Sequence, residues 1–96
     1  MKPGEEFLRL RSFARASQIR SRILMELHSL TSTPTDLEQK LDIKLSHVSR
    51  ALGQLVDKGL AVCQNPDVTK GRYYGLTPAG AEVARFLRVA QNERKK

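Results

Sequence analysis

Five polar side chains recur at helical spacing in the middle of the chain. They are Ser46, His47, Ser49, Arg50 and Gln54. An arginine can fork onto the edge of guanine or onto a phosphate, a glutamine can pair with adenine, and serine or histidine can donate to base edges or phosphate oxygens. This row therefore has the chemistry to bind nucleic acid. The alternative is a solvated helix face, which the same residue types also form.

Four more cations are candidates for contact with phosphate. Lys44 comes just before the row, Arg20 lies nearer the N-terminus, and Lys70 and Arg72 flank Gly71. Cations at the tip of a hairpin can bind the DNA backbone or the adjacent minor groove. The alternative for Lys70 and Arg72 is a polar turn without a partner.

The groups that an enzyme or a metal site needs are missing from the sequence. It contains no Ser-His-Asp grouping, no glycine-rich phosphate loop and no paired carboxylates with a histidine. Cys63 is the only cysteine, and His28 and His47 are widely spaced, so neither a disulfide nor a metal cage is expected. Cys63 is either a redox switch or, as its neighbours favour, a small half-buried core residue. We expect no enzymatic activity, no cofactor and no metal.

The charge of the chain favours a polyanionic partner. The 17 Lys and Arg residues against 10 Asp and Glu give a net charge of +7, and the isoelectric point is about 10.1. Residues 1–22 carry +4, residues 46–77 carry +2 and residues 78–96 carry +3, whereas residues 23–45 carry −2. This distribution indicates that one face meets phosphate and another turns away. Basic ends also serve solubility, which is the alternative for the two termini.

A length of 96 residues predicts a single domain over residues 1–96, because two halves of this chain would be too small to bury enough surface. Its core is expected over about 17–88, with 1–16 as an N-terminal helix or arm and 78–96 as a C-terminal helix and basic tail. No apolar run approaches the roughly 18 residues that span a bilayer, and the N-terminus lacks the apolar block of a secretory signal. The expectation is a cytoplasmic, nucleoid-associated protein.

Apolar spacing predicts the helices that position the polar row. Residues 5–30 predict two helices, or one bent helix, with a break near Ala16–Ser17. The Thr33–Asp36 segment is typical of a capped helix start with proline at the first position, and Asp42 suits the tight turn that follows.

The next helix carries the polar row. An apolar stripe fixes its inward face, and the stripe consists of Val48, Ala51, Leu52, Leu55 and Val56. Gly59 is a typical C-cap. Two starts are open: Ser46 has the better capping chemistry, whereas a contact of Ile43 with Val48 would place the cap at Lys44.

The period then changes to that of strands. Leu60–Gln64 and Arg72–Leu76 are short, β-rich stretches separated by turn-forming residues, which predicts a hairpin. Alternation assigns the side chains to faces: Leu60 with Val62 on one face, Tyr74 with Leu76 inward, and Tyr73 outward. Thr77–Pro78 then begins a last helix, which is expected to fray from Gln91.

This order of elements predicts a mainly α (α+β) winged helix-turn-helix fold, with three helices, a two-stranded wing, and N- and C-terminal helices for dimerisation. The segments SHVSRALGQLVDKGL and KGRYYGLTPAG, with Arg20 ahead of Ile23-Leu24, resemble the winged-helix transcription regulators of the MarR, ArsR and PadR types over roughly residues 20–87. The resemblance implies a sequence-specific regulator of double-stranded DNA. The helix at about 45–58 would enter the major groove, and the wing at 64–72 would lie on the backbone or minor groove.

The sequence departs from the pattern of that family at four positions. They are Glu38, Asp42, Gly53 and Gln54. The family often has basic residues where this chain has Gly53 and Gln54, so the resemblance implies a modest hold on phosphate.

All three phenylalanines lie in the terminal helices, and aromatic residues are enriched at interfaces. These aromatic residues, together with the fact that members of the family are usually dimers, predict a homodimer. The candidate interface residues are Phe7, Leu10, Phe13, Val83, Phe86, Leu87 and Ala90. Two recognition helices would then lie about 34–36 Å apart and read a palindromic operator. The alternative is that these helices cover their own domain.

Two other functions remain open because a fold alone does not fix function. One is a winged helix that binds another protein, and the other is a protein that coats DNA without sequence preference. The sequence does not choose between repressor and activator, nor does it identify an operator or a small-molecule effector.

Overall fold

A computed structural model describes residues 3–94 of the chain. Met1, Lys2 and the last two lysines of the predicted basic tail lie outside the described residues. The elements follow in the order α1 (Pro3–Arg15), α2 (Gln18–Ser29), α3 (Pro34–Leu41), α4 (Leu45–Asp57), β1 (Ala61–Cys63), β2 (Tyr74–Leu76) and α5 (Pro78–Arg94). This is the order of a winged helix, so the predicted fold class is confirmed.

The break between the first two helices lies where apolar spacing predicted it. The α1 helix ends at Arg15, and the Ser17 side chain caps α2 by accepting a hydrogen bond from the Arg20 backbone nitrogen at 3.2 Å. Three apolar side chains of α2 are buried, Ile23, Leu24 and Leu27, so α2 forms the centre of the core.

A capping box starts α3, as the sequence predicted. The Thr33 hydroxyl accepts from the Asp36 backbone nitrogen at 3.0 Å, and the Asp36 carboxylate accepts from the Thr33 backbone nitrogen at 3.1 Å. These bonds to Thr33 hold the pKa of the Asp36 carboxyl below its usual range, with a smaller contribution from the charge of Lys40. At the other end of α3, Asp42 adopts the left-handed conformation with φ 55° and turns the chain toward α4.

The start of α4 decides between the two predicted caps. The helix begins at Leu45, with Lys44 as the N-cap and no side-chain hydrogen bond from it. Ile43 and Val48 are both buried on either side of this cap. An apolar pair in these positions fixes how the chain enters the helix, and it takes the place of a polar cap from Ser46.

A glycine ends α4. Gly59 has φ 74°, its backbone nitrogen donates to the Val56 carbonyl oxygen at 3.0 Å, and the Leu60 nitrogen donates to the Leu55 carbonyl oxygen at 2.9 Å. This pair of bonds is the Schellman arrangement, in which the residue after the glycine packs back onto the helix. Leu60 is accordingly fully buried.

Both strands of the hairpin are shorter than predicted, and the prediction that Val62 shares a face with Leu60 is wrong. The strands pair antiparallel with Ala61 opposite Leu76 and Val62 opposite Gly75. Val62 is 40% exposed and does not share a face with Leu60. The Schellman bond makes Leu60 part of the helix end, so strand alternation begins one residue later and turns Ala61 inward.

The other strand follows its prediction. Tyr74 and Leu76 are half-buried against the core, and Tyr73 is exposed. Ser32 extends the small sheet, because its backbone exchanges two hydrogen bonds with Tyr74, at 2.8 and 3.1 Å.

The last helix is longer than predicted. Thr77 caps it by accepting from the Gly80 backbone nitrogen at 3.0 Å, as expected, but α5 continues through Gln91 to Arg94. Gln91, Glu93 and Arg94 are residue types of good helix propensity, which apolar spacing does not register, so the predicted end of the helix came too early.

The core lies between α2, α4 and α5. Its fully buried side chains include Leu24, Leu37, Val48, Leu55 and Val83. Over residues 3–94, no helix combines the length and the apolar character needed to cross a membrane.

Candidate nucleic-acid interface

The outer face of α4 carries four of the five predicted polar side chains in full view of solvent. Ser46, His47, Ser49 and Arg50 are all exposed. The opposite face is anchored in the core by a stripe of buried residues: Val48, Ala51, Leu52 and Leu55. The helix therefore presents a fixed row of hydrogen-bond donors, with its position set by packing rather than by the row itself.

The cations at this face have no carboxylate partner. In the described part of the chain the only ion pair joins Lys40 and Glu26, at 3.4 Å, away from α4. Lys44 at the cap of α4 and Arg50 on its outer face are both exposed. Their charges are thus available to an anion from outside the chain.

The wing is held together by two of its own side chains. Asn65 donates from Nδ2 to the Gly71 carbonyl oxygen at 3.1 Å, and its Oδ1 accepts from the Tyr73 backbone nitrogen at 2.9 Å. The Cys63 thiol donates to the same Oδ1 at 3.7 Å and is half-buried. Nothing in the sequence around Asn65 marked it as the hub of this loop, because its partners are up to eight residues away.

Arg72 also belongs to the internal structure of the wing. Its Nε donates to the Val68 carbonyl oxygen at 2.6 Å and its Nη2 donates to the Pro66 carbonyl oxygen at 3.3 Å. Lys70, at the tip of the loop, is exposed and makes no side-chain hydrogen bond within the described residues. The structure therefore directs Lys70 toward solvent and uses two of the five Arg72 donors within the wing itself.

Arg20, on α2, is bonded to a side chain of α4 rather than free in solvent. Its Nε donates to the Gln54 side-chain oxygen at 3.1 Å, and its Nη1 donates to the Phe13 carbonyl oxygen at 2.9 Å. Gln54 is accordingly half-buried, unlike the rest of the predicted row. These two residues are brought together across 34 positions of sequence, and the pairing was not predicted.

Two of the predicted interface residues in the terminal helices belong to the core of the monomer. Val83 is fully buried and Leu87 is 7% exposed, so neither can reach a second chain; their assignment to a dimer interface is wrong. The reason is that α5 packs lengthwise on α2 and uses its apolar stripe there. The apolar period of α5 predicts a buried face but does not say which surface covers it.

The remaining candidates are half-buried. Phe7, Leu10, Phe13 and Phe86 pack against the core, and Ala90 is partly covered. The rings of Phe7 and Phe86 meet edge to face with centroids 6.4 Å apart, and the Arg11 guanidinium lies 4.5 Å from the Phe86 centroid. Contacts between α1 and α5 therefore occupy much of the aromatic surface.

Two apolar side chains that were not predicted remain exposed on these helices. Leu8 on α1 is 48% exposed and Val89 on α5 is 53% exposed. Both lie outside the apolar stripes from which the helices were predicted, so apolar periodicity did not single them out as interface candidates. An isolated aliphatic residue on an outer face is the signal that would have found them.

No cluster of acidic, histidine or cysteine side chains suited to a metal occurs in the portion of the chain that the structure describes. The candidate site is a surface with hydrogen-bond donors and cations, and its chemistry is recognition of an acceptor-rich or anionic partner.

Comparison with known proteins places the fold. No protein-family model and no curated protein matches the chain. Among solved structures, the adhesin competence repressor AdcR of Streptococcus pyogenes is 25% identical, with a TM-score of 0.73 over 81% of this chain and 59% of the repressor. A MarR family transcription regulator is also 25% identical, with a TM-score of 0.69 over 94% of this chain and 58% of the regulator. ZitR of Lactococcus lactis, solved in complex with DNA, is 24% identical, with a TM-score of 0.70 over 78% of this chain and 52% of ZitR.

The chain spans a little over half the length of these regulators. It resembles MarR-type winged-helix transcription regulators in structure, so the resemblance seen in the sequence motifs is confirmed.

Proposed function

We propose that this chain is a transcription regulator that binds double-stranded DNA with sequence specificity. In this proposal α4 lies in the major groove, and the wing contacts the backbone or the minor groove. The observation that carries it is the outer face of α4, where Ser46, His47, Ser49 and Arg50 are exposed together on a helix whose other face is locked in the core.

The dimensions of α4 support this role. Its 13 residues make a helix about 20 Å long, and the major groove of B-DNA is about 12 Å wide and admits one helix. Donors at the N-terminal half of such a helix are the ones that reach base edges in helix-turn-helix proteins. Arg50 supplies the pair of parallel donors that matches guanine.

The charge balance supports the same partner. Lys44, Arg50 and Lys70 are exposed cations without carboxylate partners on or beside the proposed contact surface, and the chain as a whole carries +7. The ZitR structure adds support because that protein, with a similar fold, was solved with DNA.

We also propose that the protein acts as a homodimer through α1 and α5. Leu8 and Val89 leave apolar surface uncovered on these two helices, next to the Phe7–Phe86 contact. A symmetric pair of chains would place two α4 helices on successive major grooves and would read a palindromic operator. The proposed activity involves no catalysis, since the surface offers donors and cations rather than an activated nucleophile.

A salt titration of DNA binding tests the proposal. The probes are a duplex enriched by the protein from a pool with a randomised core, and a scrambled duplex of the same composition. Three exposed cations per chain, Lys44, Arg50 and Lys70, would each neutralise about one phosphate charge whether they bond to a phosphate or to a base edge, and this predicts a log-log slope of about −2.7 for one chain and about −5.4 for two. The enriched duplex should bind more tightly than the scrambled one at every salt concentration.

Two outcomes would contradict the proposal. Equal affinity for both duplexes would leave a protein that coats DNA without sequence preference. No binding to either duplex at low salt would remove DNA as the partner, and the exposed face of α4 would then be a surface for another protein.

A further inference from the structure

Arg20, on α2, contacts residues of two other helices, Phe13 of α1 and Gln54 of α4. From its place on α2, its guanidinium carbon lies 3.9 Å from the centroid of the Phe13 ring of α1. Nη1 donates to the Phe13 carbonyl oxygen at 2.9 Å, in the last turn of α1. Nε donates to the side-chain oxygen of Gln54 on α4, at 3.1 Å. One planar group is thus fixed by stacking and by hydrogen bonds in two directions.

The contact with Arg20 sets the orientation of the Gln54 amide. A guanidinium has only donors, so the atom of Gln54 that faces it must be the oxygen. The amide nitrogen then points away from Arg20, and it makes no hydrogen bond within the described residues. Arg20 thus takes one of the two acceptor sites of the Gln54 oxygen and leaves both amide N–H donors free.

We propose that Arg20 is a positioning residue that fixes the orientation of the Gln54 amide for contact with DNA and ties its placement to α1. The inference rests on the proposed function. With one acceptor site of its oxygen taken by Arg20, Gln54 keeps both amide N–H donors free, and these suit acceptors such as guanine O6 and N7, adenine N7, thymine O4 or a phosphate oxygen.

The link to α1 gives this arrangement a second consequence. The Lys58 ammonium, at the end of α4, also lies 5.4 Å from the Phe13 centroid. Phe13 thereby contacts cations from α2 and from the end of α4, and a shift of α1 would move both. The orientation of Gln54 therefore depends on where α1 lies.

The geometry can be tested without DNA. In a ¹H–¹⁵N spectrum of the free protein, the Arg20 Nε–H signal should be resolved, displaced upfield by the Phe13 ring and slow to exchange with solvent. Gln54→Ala should speed its exchange, and Phe13→Leu should remove the upfield displacement. The Arg22 Nε–H, on the same helix, should respond to neither substitution. An Arg20 signal that exchanges as fast as that of Arg22 in the wild-type protein would overturn the proposal.

DNA binding tests the functional half. Arg20→Met, Gln54→Ala and the double variant are compared on duplexes enriched from a pool with a randomised core, with thermal unfolding measured for each to confirm that it is folded. Gln54→Ala should weaken binding about fivefold, as expected for one lost hydrogen bond to DNA. In the Arg20→Met background the same substitution should have less than a twofold effect, because the orientation of the Gln54 amide is then no longer fixed.

The salt dependence separates positioning from direct contact. Arg20→Met and Arg20→Lys should leave the log-log slope unchanged, whereas loss of a phosphate contact would lower its magnitude by about 0.9 per chain. Arg20→Lys keeps the charge but lacks the planar guanidinium. In this background too, Gln54→Ala should therefore change DNA affinity less than twofold. The matched control Arg22→Met removes an arginine two residues away and should leave the Gln54→Ala effect at its wild-type size.

Two results would overturn the inference while leaving the proposed function intact. They are additive effects of Arg20→Met and Gln54→Ala, and a lower slope in Arg20→Met. Failure of the wild-type protein to bind any duplex would instead contradict the proposed function, and the spectrum of the free protein would still decide the Arg20 geometry.

Discussion

The arginines of this chain carry the same charge but have different surroundings. Arg20 is stacked on Phe13 and bonded to Gln54, whereas Arg72 is bonded to carbonyl groups of its own wing. Arg50 is exposed on the outer face of α4 with no carboxylate near it. Hydrogen-bond partners, more than charge, decide which of these cations can meet DNA.

Arg50 is the side chain on which the proposed interface depends most. Arg50→Ala should weaken binding to the enriched duplex by about 1–3 kcal/mol, because it removes a paired donor to a base edge. Compared with Arg50→Ala, Arg50→Lys should restore the slope of the salt dependence but not the preference for the enriched duplex, since an ammonium is a point charge without the planar guanidinium. Fluorescence anisotropy on the enriched and scrambled duplexes measures both effects, with Arg22→Ala as the control. Equal losses on the two duplexes would show that Arg50 contacts only phosphate.

The capping box of α3 predicts a pH dependence of stability. The folded state lowers the pKa of Asp36, so its stabilising contribution is present above the unfolded pKa and is lost as the pH falls through the folded pKa. The difference in urea midpoint between wild type and Asp36→Ala should therefore be constant from pH 7 to 5.5 and shrink below about pH 4. Thr33→Ala removes the hydroxyl that accepts from the Asp36 backbone nitrogen but keeps the bond from the Thr33 backbone nitrogen to the Asp36 carboxylate, so its destabilisation should depend less on pH than that of Asp36→Ala. A difference that stays constant down to pH 3 would contradict the contribution of the charged cap.

At the residue level, sequence reasoning found the exposed row but not the internal partners of the arginines. Ser46, His47, Ser49 and Arg50 follow from the helical period once the buried stripe is recognised. Arg20 and Gln54 are 34 residues apart, and their contact requires the packing of α2 on α4 to be known. Long side chains have many rotamers, so a local pattern cannot say where their ends lie.

Element boundaries were predictable where local chemistry sets them. The Thr33 and Thr77 caps and the left-handed Asp42 each depend on a few adjacent residues, and each was predicted. Val62 was placed on the wrong face because the bond from Leu60 to Leu55 shifts the start of strand alternation by one residue. A single backbone hydrogen bond at the end of the preceding helix is enough to change the face assignments in so short a strand.

Three glycines allow a matched test at the level of elements. Gly53→Ala should stabilise the protein by about 0.5–1 kcal/mol, because a methyl group there meets no atom within 4 Å and alanine favours the helix. Gly59→Ala also meets no neighbour but must adopt φ 74°, which costs about 1 kcal/mol. Gly80→Ala would place its methyl group against the Leu60 carbonyl oxygen, and we expect a loss of about 2–3 kcal/mol. Urea unfolding ranks the three, and a Gly80→Ala protein as stable as wild type would contradict the close packing of α5 on the chain before β1.

At the level of the whole molecule, the sequence predicted the surfaces that α1 and α5 bury but not what covers them. The apolar stripe of α5 packs against α2, so Val83 and Leu87 are core residues. Phe7 and Phe86 meet each other within one chain. Composition identified these helices as apolar and aromatic, and the same composition suits a core and an interface equally.

The exposed residues Leu8 and Val89 make the proposed dimer testable. Each lies beside an aromatic of the Phe7–Phe86 contact, and each leaves about half of its side chain in water. A second chain that covered them would gain about 25 cal/mol for every Å² of apolar surface removed from water, and a carboxylate at either position would oppose that burial. We therefore expect the wild-type protein to sediment at twice the mass of one 10.8 kDa chain, and Leu8→Glu and Val89→Glu to shift it toward the monomer.

Leu30→Glu is the matched control for these variants, because Leu30 is 55% exposed but follows the end of α2, outside α1 and α5. It should leave the dimer unchanged. Loss of the dimer should also halve the log-log salt slope of DNA binding, from about −5.4 to about −2.7, since only one set of cations then meets the duplex. A wild-type protein that sediments as a monomer yet keeps the larger slope would contradict a dimer formed through Leu8 and Val89, because two chains would then assemble only on DNA, and the operator would determine their spacing.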